Sequence, residues 1–103
     1  MATEHHLQKV RFTSSPTETR IHAYPNPFSE STTLRFSLPK RQTVRLSVYD
    51  TPGRLITTLL EQTLDAGEYS IPLGNGVLPS SGTYLYRMQT ESSVQGGTIF
   101  FVR

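Results

Sequence analysis

Thr33-Leu34-Arg35-Phe36-Ser37-Leu38 is followed shortly by Thr43-Val44-Arg45-Leu46-Ser47-Val48, and both stretches alternate polar with apolar residues. Successive side chains of a strand point to opposite faces, so a period of two gives one apolar face and one wet face. Leu34, Phe36 and Leu38 then face one way, with Arg35 and Ser37 opposite. Val44, Leu46 and Val48 do the same against Thr43, Arg45 and Ser47. The pattern returns at Tyr69, Ile71 and Leu73. It returns again from Thr83 to Met88, where Tyr84, Tyr86 and Met88 share a side and Leu85 takes the other.

Turn chemistry separates these runs. Asn26-Pro27, Pro39-Lys40, Thr51-Pro52-Gly53, Asp65-Ala66-Gly67, Gly74-Asn75-Gly76 and Ser81-Gly82 all carry residues that favour corners. Pro52 is expected at the first corner of a type II turn and Gly53, with positive φ, at the second. About seven strands result, near 21–24, 31–38, 43–50, 54–61, 67–73, 83–90 and 94–102. Leu55 to Leu64 comes nearest to a helical window but is rich in Thr and Ile, which favour strands. Short strands at this spacing predict an all-β antiparallel sandwich or barrel.

Two features interrupt the regularity. Ile99-Phe100-Phe101-Val102 is a continuous apolar run just before Arg103. It predicts an inner strand buried on both faces; left uncovered, it would be a docking strip for another chain's strand. Gly96-Gly97 predicts a bulge or bend ahead of it. At the other end, Thr13-Ser14-Ser15-Pro16-Thr17-Glu18-Thr19 has nothing to bury, and Val10-Arg11-Phe12 is long enough only for a stub or a fragment of an edge strand. Residues 1–20 therefore read as a linker and 21–103 as the domain.

Composition narrows the function. The chain has 103 residues, mean hydropathy of −0.36 and no cysteine, which rules out disulfides and thiolate metal sites. A domain of this size buries only roughly 60–65% of its unfolded-chain surface, so its core is thin. No run approaches the ~20 apolar residues that cross a bilayer. Met1 to Val10 lacks the apolar stretch of a secretory signal, so any export instruction lies in a removed N-terminal part or in the domain itself. Ten basic residues stand against eight acidic ones. Arg35, Arg45 and Arg87 are dispersed along alternating runs instead of forming the patch a nucleic-acid binder needs.

No catalytic constellation emerges. His5 and His6 are adjacent, hence opposed on an extended chain, and with His22 they find no carboxylate cluster to complete a metal site. The serines lie in turns or on strand faces without a Gly-x-Ser-x-Gly elbow. Asp50 and Asp65 occupy turn positions, where aspartate bonds nearby amides. Tyr84 and Tyr86 could offer a stacking platform for sugars, although same-face aromatics two apart on a strand are more often core. The chain reads as non-catalytic and without a cofactor.

Tyr24-Pro25-Asn26-Pro27-Phe28, followed by Ser31 to Pro39, resembles the opening of the C-terminal sorting domains of the type IX secretion system of Bacteroidetes, with the hook-capping Ig-like domains as look-alikes. The resemblance continues through Val44 to Asp50 and Gly53-Arg54, through Leu64, Ala66-Gly67 and Tyr69, and through Leu78-Pro79, Ser81-Gly82-Thr83-Tyr84 and Tyr86-Arg87. It covers about 80 residues in order. Ser80-Ser81 holds one serine more before Gly82 than the Leu-Pro-Ser-Gly pattern of the family, and Gly96-Gly97-Thr98 stands where many members carry lysine.

That resemblance implies an Ig-like sandwich and a set of motif residues: Tyr24, Pro25, Asn26, Pro27, Asp50, Gly53, Arg54, Gly67, Gly82, Tyr84 and Arg103. Ile99, Phe100, Phe101 and Val102 would form the strand that docks a partner. It also implies an upstream cargo domain, passage through the periplasm and an outer-membrane translocon to the cell surface, and a sortase-like protease cutting within 13–23. Asp50 would tie down the Pro52-Gly53 turn through its carboxylate. Two other roles remain open on the residues: an Ig-like spacer or hook-cap-like module that forms a homodimer through an edge strand, and a carbohydrate-binding module using Tyr84 and Tyr86.

Overall fold

The computed structural model describes residues 7–10 and 18–103. Eight strands follow in order: β1 (Gln8–Val10), β2 (Arg20–Tyr24), β3 (Ser31–Leu38), β4 (Gln42–Asp50), β5 (Leu55–Leu64), β6 (Gly67–Gly74), β7 (Gly82–Thr90) and β8 (Val94–Phe101). A single 3-10 turn, Asn75–Val77, lies between β6 and β7. Two antiparallel four-stranded sheets result, ordered β1-β6-β3-β2 and β5-β4-β7-β8. The chain crosses between sheets at β3–β4, β5–β6 and β6–β7. That is the Greek-key weave of an Ig-like sandwich, as the alternation and the resemblance led one to expect.

The interior is built from the predicted faces. Leu34, Phe36 and Leu38 meet Tyr69, Ile71 and Leu73 within the first sheet, and pack against Val44, Leu46, Val48, Tyr84, Tyr86 and Met88 of the second. Each such side chain contributes roughly 1.5–3 kcal/mol by leaving water. Tyr84 and Tyr86 are core residues, 3% and 8% exposed. They present no platform on which a sugar could stack, which removes the physical basis for a carbohydrate module.

Four expectations change. The segment 1–20, read as a linker, supplies the eighth strand: β1 pairs with Glu68 to Ser70 at the edge of β6. Arg11 and Phe12, the rest of the candidate stub, lie outside the described residues, as do His5 and His6.

The run Ile99 to Val102 is not buried on both sides. β8 is the outer strand of its sheet, with Ile99 and Phe101 inward while Phe100 and Val102 stand 45% and 56% exposed. Alternation holds there after all. It is masked only because the outward residues are apolar too.

Gly96 and Gly97 form no bulge, since β7 and β8 pair in unbroken register from Gly82–Phe101 to Gln89–Val94. Gly97 instead lies opposite Tyr86, whose ring fills its missing side-chain space: a Cβ there would sit 2.5 Å from the phenol oxygen. The real bulges are in β5. Leu46 faces Leu60 and Ser47 faces Thr58, leaving Leu59 unopposed; Ile56 is skipped in the same way. The extra residue turns Leu59 inward beside Leu60, so two consecutive leucines are buried.

The β4–β5 corner also differs. Its turn bond runs from the Gly53 amide to the Asp50 carbonyl (3.0 Å), which makes Thr51 and Pro52 the central residues. Gly53 follows them at φ 98°, a conformation that favours glycine.

Candidate functional site

The residues Tyr24 to Phe28 leave the edge of the first sheet and cross to the free edge of the second. Both X–Pro bonds there, Tyr24–Pro25 and Asn26–Pro27, are cis. The Asn26 side chain behaves as a surrogate strand. Its Nδ2 donates to the Thr98 carbonyl (2.8 Å), and its Oδ1 accepts from the Phe100 amide (2.9 Å). Phe28 then pairs in parallel with β8: its amide donates to the Phe100 carbonyl and its carbonyl accepts from the Val102 amide, each at 2.9 Å. The Phe28 ring is buried and stacked on Phe101, with centroids 5.4 Å apart. Asn75 holds the far side of this segment, its side chain donating to the Ser29 carbonyl and its amide to the Glu30 carbonyl.

This arrangement settles which part of β8 is available. From Thr98 to Val102 its outward hydrogen-bonding groups are largely engaged by residues 26 and 28, so a strand cannot simply be added there. What Phe100 and Val102 offer is their side chains. Over these residues the edge is closed while the face is open.

That face is unusual. Leu55, Tyr49, Leu85 and Thr98 stand opposite one another in a row across all four strands of the second sheet. Leu55, Leu85, Val94, Phe100 and Val102, which make up nearly all the exposed large hydrophobic residues among those described, lie on this outer side. An open groove of about 480 Å³ runs over the bare backbone of Gly96, bordered by Tyr49, Leu85, Arg87, Val94 and Thr98. The outer face of the first sheet, by contrast, carries Arg20, His22, Arg35, Ser37 and Glu68. The exposed apolar side chains of the described residues thus gather on the outer side of the second sheet.

Most of the remaining motif residues gather at the same end of the sandwich. Asp50 pairs with Tyr84 across β4–β7, and Gly82 with Phe101 across β7–β8. The Asp50 carboxylate accepts from the Arg54 amide and from Arg54 Nε, both at 2.8 Å. Its side chain is 13% exposed, whereas Arg54 is 81% exposed. Partial burial pushes the Asp50 pKa up. The Arg54 amide, guanidinium and charge, with the Gly53 amide, outweigh that and hold it below the ordinary carboxylate value. The Asp50 carboxylate thus joins the end of β4 to Arg54 across the turn.

Tyr84 donates its hydroxyl to the Ser80 carbonyl (2.6 Å), and Tyr69 repeats the device on the Asp65 carbonyl (2.8 Å). Each tyrosine follows a positive-φ glycine, Gly82 or Gly67, by two residues. Burial raises the pKa of Tyr69, the Asp65 charge adding to it against a smaller opposing effect of Arg41. Gly67 alone among the motif residues sits at the opposite end, paired with Leu38. The extra serine region also has a role: the Ser81 hydroxyl accepts from the Arg103 amide (2.8 Å), while the Arg103 guanidinium lies over the Phe101 ring, 5.5 Å from its centroid.

No group of three or more His, Cys, Asp or Glu that could hold a metal occurs among the described residues. The contributions of Tyr49, Leu55, Leu85 and Val94 to the apolar face were missed in the sequence. Only the strand register brings them into one row.

No curated protein sequence matches this chain. Among solved structures, the crystal structure of dimeric latent PorU from Porphyromonas gingivalis is similar in fold, with a TM-score of 0.66 and 23% identity. The match covers 90% of this chain but 10% of that one, so the chain spans a small part of that protein's length. The family described as the secretion system C-terminal sorting domain matches residues 22–100, nearly the whole sandwich. The chain belongs to the type IX secretion C-terminal sorting domain family.

Proposed function

We propose that this domain is the export signal of an upstream protein, directing it through the type IX outer-membrane translocon to the cell surface, without chemistry of its own. Family membership implies export to the surface or the extracellular space. The observation that carries the finer reading is the exposed apolar face around β8, whose edge is closed by the motif residues Asn26 and Phe28. A signal read in the folded state needs a fixed surface, and this clamp fixes it. Phe100 and Val102 supply the contact, Ile99 and Phe101 anchor the strand, and Arg103 completes its end. Tyr24, Pro25 and Pro27 shape the clamp; Asp50, Gly53, Arg54, Gly82 and Tyr84 hold the adjoining turns, and Gly67 the opposite end.

Residues 21–103 form the sorting unit, and the segment before it joins the cargo. A sortase-like protease needs extended, unpaired backbone. β2 is paired from Arg20 onward, the Glu18 carbonyl accepts from Ser37 Oγ, and the Thr19 carbonyl accepts from Gln95 Nε2. The cut therefore falls before Glu18, a narrower window than 13–23.

The test is a periplasmic reporter fused to residues 7–103 in a type IX-competent host and in a host lacking the translocon. Surface exposure in the first alone, with a released domain beginning at or before residue 18, is expected. A folded fusion retained in the periplasm of both hosts would overturn the proposal.

A further inference from the structure

Among the described strands β1 is the shortest, and its hold on the sandwich rests on little. Three residue pairs join it to β6, Gln8–Ser70, Lys9–Tyr69 and Val10–Glu68. Leu7 packs partly buried against the core, and the Lys9 ammonium lies over the Tyr69 ring at 5.9 Å, on a residue otherwise exposed. Beyond the Gln8–Ser70 pair, Pro72 lacks the amide that a longer strand would use. The next strand is anchored separately. Glu18 and Thr19 are tied to Ser37 and Gln95, and β2 pairs with β3 along its whole length. Only residues 11–17 connect the two.

A strand with three pairs and one apolar anchor has little affinity of its own. Joined by a short tether, it faces its site at an effective concentration of roughly millimolar. Severed from β2 at micromolar protein, that concentration falls by about a hundredfold or more. We infer that β1 covers the β6 edge only while it is joined to β2, and that separating them opens this edge to an extended segment of another chain carrying an aliphatic residue two positions before a cation, the Leu7-x-Lys9 pattern. The acceptor is the row Glu68, Tyr69 and Ser70, with Tyr69, itself stacked on Phe36 at 5.4 Å, as the fixed aromatic surface. The inference stands on this geometry alone and does not need the sorting role to be correct.

The experiment uses the full chain with a site-specific protease sequence placed within 11–17, cut after folding. At about 10 µM the N-terminal fragment should separate on size exclusion, and within Glu68 to Ser70 the amides directed at β1, not those directed at β3, should exchange about tenfold or more faster. The amides of Leu46 and Tyr86 should stay protected, which establishes that the sandwich is intact. A synthetic peptide of residues 5–12 at millimolar concentration should restore protection, and the same peptide with Leu7→Ser and Lys9→Ala should not. The inference is overturned if the fragment co-elutes with unchanged exchange, which would make β1 integral. Equal exchange before and after cutting with the fragment lost would overturn it too, since β1 would then never have covered the edge.

Discussion

Phe28 and Phe101 stack face to face near the end of the sandwich, 27° from parallel, although they stand near opposite ends of the domain's sequence. The contact is the hub of a seam. Phe28 sits between two sheets, its ring in the core and its backbone on the β8 edge, so the family's opening motif and its terminal strand are one structural unit.

Removing that hub should loosen the seam. Phe28→Ala is expected to lose about 3–5 kcal/mol, the usual cost of deleting a buried aromatic ring. Asn26→Ala should lose only about 1 kcal/mol, because the freed groups of Thr98 and Phe100 can turn to water. Urea unfolding of the two variants measures the difference. Equal losses would mean that the ring is not buried as described.

Acid should weaken the β4–β5 corner. Asp50 has its pKa lowered in the folded state, so its contribution is present above the unfolded value, about 3.9, and disappears as pH falls through the lower folded value. The urea midpoint of the wild type should drop more steeply than that of Asp50→Asn between pH 5 and pH 2 (a window of roughly this range follows from the carboxylate reference value). Parallel curves would show that Arg54 does not hold the carboxylate.

The Tyr86–Gly97 pairing forbids side chains at the glycines. In Gly97→Ala the new methyl meets the Tyr86 ring, with 2.5 Å to its oxygen and 2.7 Å to Cζ, and about 1–3 kcal/mol should be lost. Gly96→Ala should cost more, since its methyl overlaps the Tyr86 carbonyl oxygen, which is backbone. Combining Gly97→Ala with Tyr86→Leu should cost less than the sum of the two single changes. Thermal or urea unfolding decides it, and strict additivity would refute the contact.

One buried hydroxyl should be dispensable. Thr32 is wholly buried and its Oγ1 has no hydrogen-bond partner. Thr32→Val keeps the shape and the β-branch while removing the unsatisfied group, and a gain of about 1 kcal/mol is expected. A loss of similar size would show that the hydroxyl is satisfied in solution.

Much of the fold was legible because one face of each strand is buried while the other is wet. Leu34, Phe36, Leu38, Val44, Leu46 and Val48 announce their direction through neighbours such as Arg35 and Arg45. The signal fails where that contrast is absent. Phe100 and Val102 are apolar yet outward, so β8 looked like an inner strand. Leu59 turns inward only because β5 carries a bulge opposite β4, and no local residue marks it. Gly97 looked like a bend because its partner, the Tyr86 ring, belongs to another strand. The motif residues were found as motifs, but the task of Asn26, closing the β8 edge, depends on a pairing between the two ends of the domain. The apolar row Leu55–Tyr49–Leu85 was hidden for the same reason.

The most direct measurement compares surface display of a reporter fused to residues 7–103 with display of the same fusion carrying Phe100→Ser and Val102→Ser. Both side chains are outward, so the variant should fold as the wild type does while export fails. Wild-type fusion at the surface and folded variant in the periplasm is the predicted result. Equal display of the two, or a folded wild type that never leaves the periplasm, would contradict the account.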